Sequence, residues 1–360
     1  METTTIKTPG KLMVAGEFAV LEPYHKLIVM AVDRFVYTDI LQTDKNMIDL
    51  PDLGITNITW ELSADRIHFH DVDDRTVFVQ AAFEVALMYL REKQIEIKPF
   101  SLILQSELDD PETGAKYGLG SSAAVVTSIV EAILTYHLGN QVEKELIFKL
   151  ASVAHVKTQG NGSGADIAAS TYGGVLEYTS FQAEWLLNEI EQSPNILELI
   201  DKEWKYLSIH VTAFPSEIDI VVGWTGKPAS TKSLVNEILQ LRHTAKEQYE
   251  AFLACSEQAV GKIVHGMQYD DVPMFLKGIS ENRRALAMVG VHADVPIETE
   301  KLAKLSDIAE QFGGAGKLSG AGGGDCGIAF VEKEVNVGAM HRAWLQEAIE
   351  ILDIQVYQKN

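Results

Sequence analysis

The hydrophobic and polar positions of this chain predict strands and helices that follow one another closely. Short apolar or alternating runs predict strands over 27–32, 35–40 and 100–106. Apolar residues at helical spacing predict helices over 77–93, 121–137 and 143–157. Because both element types occur in the first half of the chain, this pattern excludes an all-helical or an all-strand fold.

The second half repeats this mixture. The pattern predicts a hydrophobic strand pair, then three helices, then a strand–helix–strand unit, over 206–213, 218–224, 231–252, 270–289, 299–312, 326–331, 335–351 and 353–357. This order indicates an α+β or α/β protein. At about 100–200 residues per domain, a chain of 360 residues predicts two domains. The polar stretch 191–203 is the best boundary, which gives domains 1–200 and 201–360.

The charge balance restricts the partners. The sequence has 30 Lys and Arg against 51 Asp and Glu residues, a net charge of −21, which argues against nucleic acid or an anionic membrane as a partner. Two cysteines are too few for a disulfide scaffold or a zinc cluster. The charged residues among the first twenty exclude a signal-peptide core. We expect a cytoplasmic protein, either a monomer or a homodimer.

Two glycine-rich loops in the first half could bind an anion. The loop at 9–20 carries Lys11, and the loop at 116–124 runs into a predicted helix. Free amides at a helix start favour phosphate, and Gly118 and Gly120 let the backbone approach it closely. In this arrangement Ser121 is expected to cap the helix, while the Ser122 hydroxyl is free to bind magnesium.

A third glycine-rich loop, 317–327, directly precedes a predicted core strand and has five glycines in eleven residues. A backbone nest for an anion explains it better than a flexible linker does. A P-loop is excluded, because Gln311 and Leu318 occupy two of its required positions around Gly316-Lys317. A dinucleotide fingerprint fits only loosely, because a polar loop rather than a strand precedes Gly118.

A fourth segment, 160–170, also opens a short helix with glycine and serine. It contains Ser163, Gly164 and, in the first helical turn, Asp166. An aspartate at this place often does no more than complement the helix dipole.

Taken together, the ordered loops resemble the motifs of the GHMP kinase superfamily of small-molecule kinases. Three stretches, 116–122, 224–231 and 317–329, are most similar to the bacterial phosphomevalonate kinases within it. The resemblance implies an N-terminal ATP-binding domain like the second domain of ribosomal protein S5. It also implies a ferredoxin-like C-terminal domain, with the active site in the cleft between the two. The implied cofactors are ATP and Mg²⁺, and the implied substrate is phosphomevalonate.

The resemblance also suggests residue roles. Lys11 is expected to bridge the donor and acceptor phosphates, and Asp166 to act as a base or, more consistently with an ionised acceptor, to orient Lys11 and the metal. His155 stands where mevalonate kinases place a metal-binding Glu, so the resemblance does not decide whether a carboxylate of this protein binds magnesium. The expected ATP-binding residues are Lys116, Gly118, Leu119, Gly120, Ser121, Ser122 and Ala123, and the expected acceptor-binding residues are Ser163, Gly164, Lys227, Ser230, Arg283, Ser319, Gly320, Ala321 and Gly322.

Three alternatives stay open at this point. The first is another small-molecule kinase of the superfamily, above all a mevalonate kinase. The second is a catalytically silent protein of this fold that binds a metabolite as a regulator, although Lys11, Ser122 and Asp166 together argue against it. The third is a dinucleotide-dependent oxidoreductase, which fits the loops least well.

Overall fold

The computed structural model describes residues 3–63, 67–70, 73–227 and 231–359, with side chains in the helix that begins at Thr231 described from residue 234 onwards. The strands are β1 Thr3–Ala15, β2 Lys26–Gln42, β3 Met47–Leu50, β4 Ile55–Leu62, β5 Ile67–Phe69, β6 Phe100–Ser106, β7 Val175–Thr179, β8 Ser208–Thr212, β9 Ile218–Trp224, β10 Ala315–Leu318, β11 Cys326–Glu332 and β12 Glu350–Leu352. The helices are α1 Val77–Glu92, α2 Ser121–Leu138, α3 Lys144–Gln159, α4 Ala165–Tyr172, α5 Ala183–Gln192, α6 Ile196–Asp201, α7 Thr231–Thr244, α8 Lys246–Tyr269, α9 Val272–Ala293, α10 Glu300–Gln311 and α11 Val337–Gln346.

Eight strands form the larger sheet, in the order β5-β4-β3-β6-β2-β7-β8, with β1 paired to β2. The two predicted strands at 27–32 and 35–40 are parts of one strand, β2, which continues through a bulge. Val32 pairs with Gly10 and Phe35 with Pro9, so the register with β1 shifts by the two polar residues Asp33 and Arg34. Helices α1 to α4 pack together, and α2 and α4 also contact β1 and β2. This packing places the starts of α2 and α4 beside the first strand.

Helix α2 is apolar enough, and at 18 residues long enough, to span a membrane by length and composition alone. However, 56% of it is buried inside the protein, where it packs against α1, α3 and the large sheet. Its apolar character is therefore that of a core helix.

The smaller sheet has the order β10-β11-β9-β12. Helices α9 to α11 contact this sheet, and α8 packs against α9. The predicted pairing of 206–213 with 218–224 is wrong, because β8 pairs with β7 in the larger sheet whereas β9 pairs with β11 and β12. The larger sheet thus extends past the boundary expected at residue 200. The predicted last strand at 353–357 is also misplaced, since β12 ends at Leu352.

The segment after β12 returns to the N-terminal domain. Val356 forms a bridge with Val32, and the Tyr357 amide donates to the Ala31 carbonyl at 2.9 Å. Lys359 forms an ion pair with Glu131 of α2 at 2.7 Å. One buried hydrophobic cluster includes residues of both sheets, so the two domains share a continuous core.

Candidate active site

A cavity of about 430 Å³ lies where the glycine-rich loops of both domains meet. Its walls come from the first loop, from the starts of α2 and α4, from the end of α3 and from the third loop. The cavity is large enough for a small-molecule ligand. Twelve of the expected site residues line it, namely Lys11, Lys116, Gly118, Gly120, Ser121, Ser122, Ser163, Gly164, Asp166, Ser319, Gly320 and Ala321.

Lys11 lies on β1 with a side chain that is 9% exposed. Its backbone amide donates to the Leu119 carbonyl at 2.9 Å, and its ammonium group donates to the Gly118 carbonyl, also at 2.9 Å. The ammonium charge is therefore held against the second glycine loop, at the edge of the cavity. A cation held there can contact anions bound at the start of α2.

The start of α2 differs from the expected capped helix. Gly120, with a φ of 80°, occupies the N-cap position and makes no side-chain bond, because it has no side chain. Ser121 does not cap the helix, because its hydroxyl donates to Asp109 at 3.2 Å. Among the residues that the structure describes, no side chain caps the first amides of α2, which leaves them able to bind an anion.

Ser122 faces the end of α3. Its hydroxyl lies 3.2 Å from Nε2 of His155, a side chain that is 3% exposed. Burial lowers the pKa of His155, although the nearby Asp166 carboxylate raises it in part. At neutral pH this histidine is therefore neutral, and it orients the Ser122 hydroxyl without adding a positive charge to the cavity.

The start of α4 is the second helix N-terminus at the cavity. Gly164 has a φ of 76°, and a Cβ there would lie 2.4 Å from the ring of Phe181, so only glycine fits. The carbonyl of Ser163 accepts a hydrogen bond of 2.6 Å from Tyr178. These contacts fix the turn that carries Asp166, whose Oδ1 accepts from the Ile167 amide at 3.0 Å.

The third loop joins the two domains at the cavity. The Ser319 hydroxyl accepts a hydrogen bond of 2.9 Å from the Met13 amide of β1. Lys317, which is 0% exposed, forms an ion pair with Glu17 of the first loop. The loop therefore contributes both a wall of the cavity and two links between domains.

Several expected residues lie outside the cavity. Leu119 and Ala123 are buried behind it, and Gly322 packs against Ile297, where a Cβ would lie 2.2 Å from the Ile297 carbonyl oxygen. Lys227 has an exposed side chain that does not line the cavity. Ser230 lies outside the described residues.

Arg283 was expected to bind the acceptor, but the structure places it elsewhere. Its guanidinium forms ion pairs with Glu298 at 2.7 Å, Asp307 at 2.7 Å and Glu310 at 3.1 Å. It does not line the cavity, because these three carboxylates hold it against α10. Arg283 therefore stabilises the C-terminal domain and is not placed to bind the acceptor.

Comparison with known proteins places this geometry in a family. The GHMP kinase N-terminal domain model matches residues 78–174, and the GHMP kinase C-terminal model matches residues 265–350. A phosphomevalonate kinase of Streptomyces sp. (strain CL190) is 32% identical over 344 residues, which cover 92% of this chain and 91% of that protein. The chain belongs to the GHMP kinase family.

Two solved structures are similar to this chain over almost its whole length. The Lin0012 protein from Listeria innocua superposes with a TM-score of 0.91 at 33% identity, covering 99% of this chain and 100% of that one. The phosphomevalonate kinase of Streptococcus pneumoniae, solved in complex with phosphomevalonate and AMPPNP, superposes with a TM-score of 0.85 at 25% identity, covering 98% of this chain and 100% of that one. The expected two-domain GHMP kinase fold is confirmed.

The sequence reasoning missed four carboxylate and amide side chains of this GHMP kinase that line the cavity: Glu17, Asp325, Gln159 and Asn161. Glu17 and Asp325 lie within the first and third glycine loops, so a charged residue inside each loop was the available signal. Gln159 ends α3 and donates to the Asn161 carbonyl at 3.3 Å. The described lining residues thus include two ammonium groups, Lys11 and Lys116, but three carboxylates, Glu17, Asp166 and Asp325.

Proposed function

We propose that this GHMP kinase transfers the γ-phosphoryl group of ATP to phosphomevalonate and releases diphosphomevalonate and ADP. The observation that carries the proposal is that Lys11 lines one cavity together with the N-termini of α2 and α4. Two helix starts and a cation suit two anionic groups brought side by side. The relatives named phosphomevalonate kinase support this choice of substrate.

The N-terminal domain provides the ATP site in this proposal. The triphosphate lies against the glycine loop that begins at Lys116, where Gly118 and Gly120 leave room for it. The terminal phosphate of the acceptor lies across from it, near Lys11. The bond between the γ-phosphorus and the ADP oxygen breaks as an acceptor phosphate oxygen bonds to that phosphorus, and Lys11 stabilises the charge on both sides.

Magnesium fits this cavity on the chemistry of its side chains. Glu17 is paired with Lys317, so the described lining leaves Asp166 and Asp325 against Lys11 and Lys116, and two polyanionic ligands need further positive charge. The oxygen atoms of Ser122, Asp166 and Asp325 are of the kind that Mg²⁺ prefers. Ser122 would bind the metal together with nucleotide oxygens, and the metal would neutralise charge on the phosphates.

Asp166 acts in this proposal as an orienting group. The acceptor phosphate is already ionised at neutral pH, so no proton has to be removed before transfer. A carboxylate at the start of α4 can instead hold Lys11 and the metal in place by charge attraction. The cytoplasmic location and the oligomeric state stay predictions of the sequence.

A coupled ADP-release assay tests the proposal. A panel of phosphomevalonate, mevalonate, homoserine and galactose should give turnover with phosphomevalonate and essentially none with mevalonate. A site that binds the acceptor phosphate leaves its hydrogen-bond donors unpaired when mevalonate binds, because mevalonate has a hydroxyl group in place of that phosphate. The unpaired donors should lower kcat/KM for mevalonate by several orders of magnitude. Comparable efficiency with mevalonate would overturn the substrate and keep the kinase family.

A further inference from the structure

Glu17 is a buried carboxylate that has a partner for one of its oxygens. Its side chain is 4% exposed, and Oε1 accepts a hydrogen bond from Lys317 across the two domains. Lys317 is 0% exposed and also donates to the Leu318 carbonyl at 2.6 Å. Since each buried charge would be very unfavourable alone, the two residues stabilise one another.

The second carboxylate oxygen, Oε2, has no hydrogen-bond partner among the described residues, although it is buried. Folded proteins seldom leave a buried acceptor in this state, and those that occur call for an explanation. Glu17 also lines the cavity. A ligand group that enters the cavity is therefore a candidate partner for Oε2.

The backbone next to Glu17 is strained. Phe18 has φ 60° and ψ −47°, and the Ala19 amide donates to the Glu17 carbonyl at 2.7 Å, which is the geometry of a γ-turn. A non-glycine residue keeps such a conformation only when its surroundings enforce it. Here the ring of Phe18 is buried in a hydrophobic cluster with Ile238 and Leu318 of the C-terminal domain.

Charge decides which ligand group suits Oε2. A carboxylate repels the phosphates and the carboxylate of the acceptor, but it accepts a strong hydrogen bond from a hydroxyl group. The neighbouring wall is apolar and consists of Phe18, Val20 and Leu27. The complementary group is thus a hydroxyl on a carbon that also carries an aliphatic substituent. Phosphomevalonate has one hydroxyl, and its carbon bears a methyl group.

We propose that Glu17 Oε2 accepts a hydrogen bond from this tertiary hydroxyl, and that Lys317 is a positioning residue that holds Glu17 for it. The inference rests on the proposed function. It orients the acceptor in the cavity, with its hydroxyl and methyl groups toward Glu17 and its phosphate toward Lys11. The strained turn at Phe18 fixes the same carboxylate from the backbone side.

The first test compares phosphomevalonate with its 3-deoxy analogue, which lacks only the hydroxyl. The wild-type kcat/KM should fall at least about tenfold with the analogue, as expected for the loss of a hydrogen bond to a charged group. Glu17→Gln should lower kcat/KM with phosphomevalonate by a similar factor and reduce the preference over the analogue to less than about threefold.

The second test separates positioning from folding. Lys317→Met should raise the acceptor KM at least about tenfold, with the ATP KM changed less than about threefold. In the double variant Lys317→Met/Glu17→Gln, the Glu17 carboxylate that Lys317→Met leaves unpaired is also removed. The double variant should therefore be more thermally stable than Lys317→Met, but its acceptor KM should stay above that of the wild type. Lys304→Met, on the exposed side of α10, is the matched control and should behave as wild type.

Equal wild-type efficiencies with both compounds would overturn this inference alone. A preference that persists in Glu17→Gln would overturn the role of Glu17. Recovery of the acceptor KM in the double variant would overturn the roles of both Glu17 and Lys317, because that variant lacks the Glu17 carboxylate. No wild-type turnover with phosphomevalonate would overturn the proposed function and, with it, this assignment.

Discussion

Gly118 and Asp325 meet across the two domains at the edge of the cavity. A Cβ built on Gly118 would lie 2.6 Å from the Asp325 carboxylate, and the φ of Gly118 is +83°. Both features exclude a larger residue. Gly118→Ala should therefore lower the free energy of unfolding by about 2 kcal/mol or more and reduce turnover strongly, measured by urea denaturation and by ADP release.

Gly114 is the matched control for this substitution. It also has a positive φ, +68°, but no atom of the described residues lies within 4 Å of a Cβ built there. Gly114→Ala should show only the backbone cost of about 1 kcal/mol, with turnover preserved. Equal effects of the two substitutions would mean that contact with Asp325 is unimportant.

Lys11→Met should reduce kcat/KM by about 10²- to 10³-fold, because its ammonium group stabilises charge that develops during transfer. Nucleotide affinity should change much less, since the bridging charge matters most when both phosphates are bound. Calorimetry and steady-state kinetics measure the two effects. Lys7→Met, on the same strand but over the ring of Phe35 at 3.7 Å, should keep normal turnover. Near-normal turnover of Lys11→Met would show that Lys11 does not take part in phosphoryl transfer.

Ser122→Ala should lower turnover and weaken the dependence on magnesium, while the start of α2 stays folded because Gly120 is its cap. A magnesium titration of kcat measures this effect, and circular dichroism confirms the helix content. Unchanged kinetics across the titration would contradict the assignment of this hydroxyl to the metal.

His155 should make stability depend on pH. Burial lowers the pKa of His155 in the folded protein, whereas an unfolded histidine binds a proton below about pH 6.5. The unfolded state then binds more protons, so the free energy of unfolding falls as pH drops through about 6.5, by at most about 1.4 kcal/mol per pH unit.

Denaturation from pH 5 to 8 measures this slope, which should be shallower in His155→Gln. The same substitution at His243, exposed on α7, is the control and should leave the slope unchanged. A slope in His155→Gln as steep as in wild type would exclude His155 as its source.

Arg283→Ala should lower the free energy of unfolding by about 1–3 kcal/mol and leave the acceptor KM unchanged. The loss leaves Glu298, which is 17% exposed, without its ion pair. Lys304→Ala removes an exposed pair with Glu347 at 3.5 Å and should cost less than about 1 kcal/mol. A raised acceptor KM in Arg283→Ala would indicate that Arg283 does bind the acceptor.

The helices could be predicted from the sequence because the spacing of their apolar residues is a local pattern. Helix α2 spans Ser121–Leu138 against a prediction of 121–137, and α10 spans Glu300–Gln311 against 299–312. The single helix predicted over 231–252 is instead two helices, since Ala245 has φ −148° and ψ 60°. Nothing in the apolar spacing marks that break. The strand partners of β8 depend on contacts distant in sequence, so local pattern could not assign them.

The site was partly readable for the same reason. The glycine-rich loops in the sequence indicated Lys11, Ser122 and Asp166 as site residues, and the fold brings all three to one cavity. The ion pair of Glu17 with Lys317 joins residues 300 positions apart, and no local pattern connects them. Arg283 appeared available because its carboxylate partners are identifiable only from tertiary packing. They are Glu298, just before α10, and Asp307 and Glu310 on α10.

The return of the segment 353–359 to the first domain has a consequence for how the protein folds. Its hydrogen bonds with Ala31 and Gly174 add an extended segment to a domain that precedes it by more than a hundred residues. On the ribosome the first domain therefore stays without this segment until the second has emerged. We expect the two halves to lose structure in a single cooperative transition, and a protease cut before residue 353 to expose the apolar surface that the segment covers.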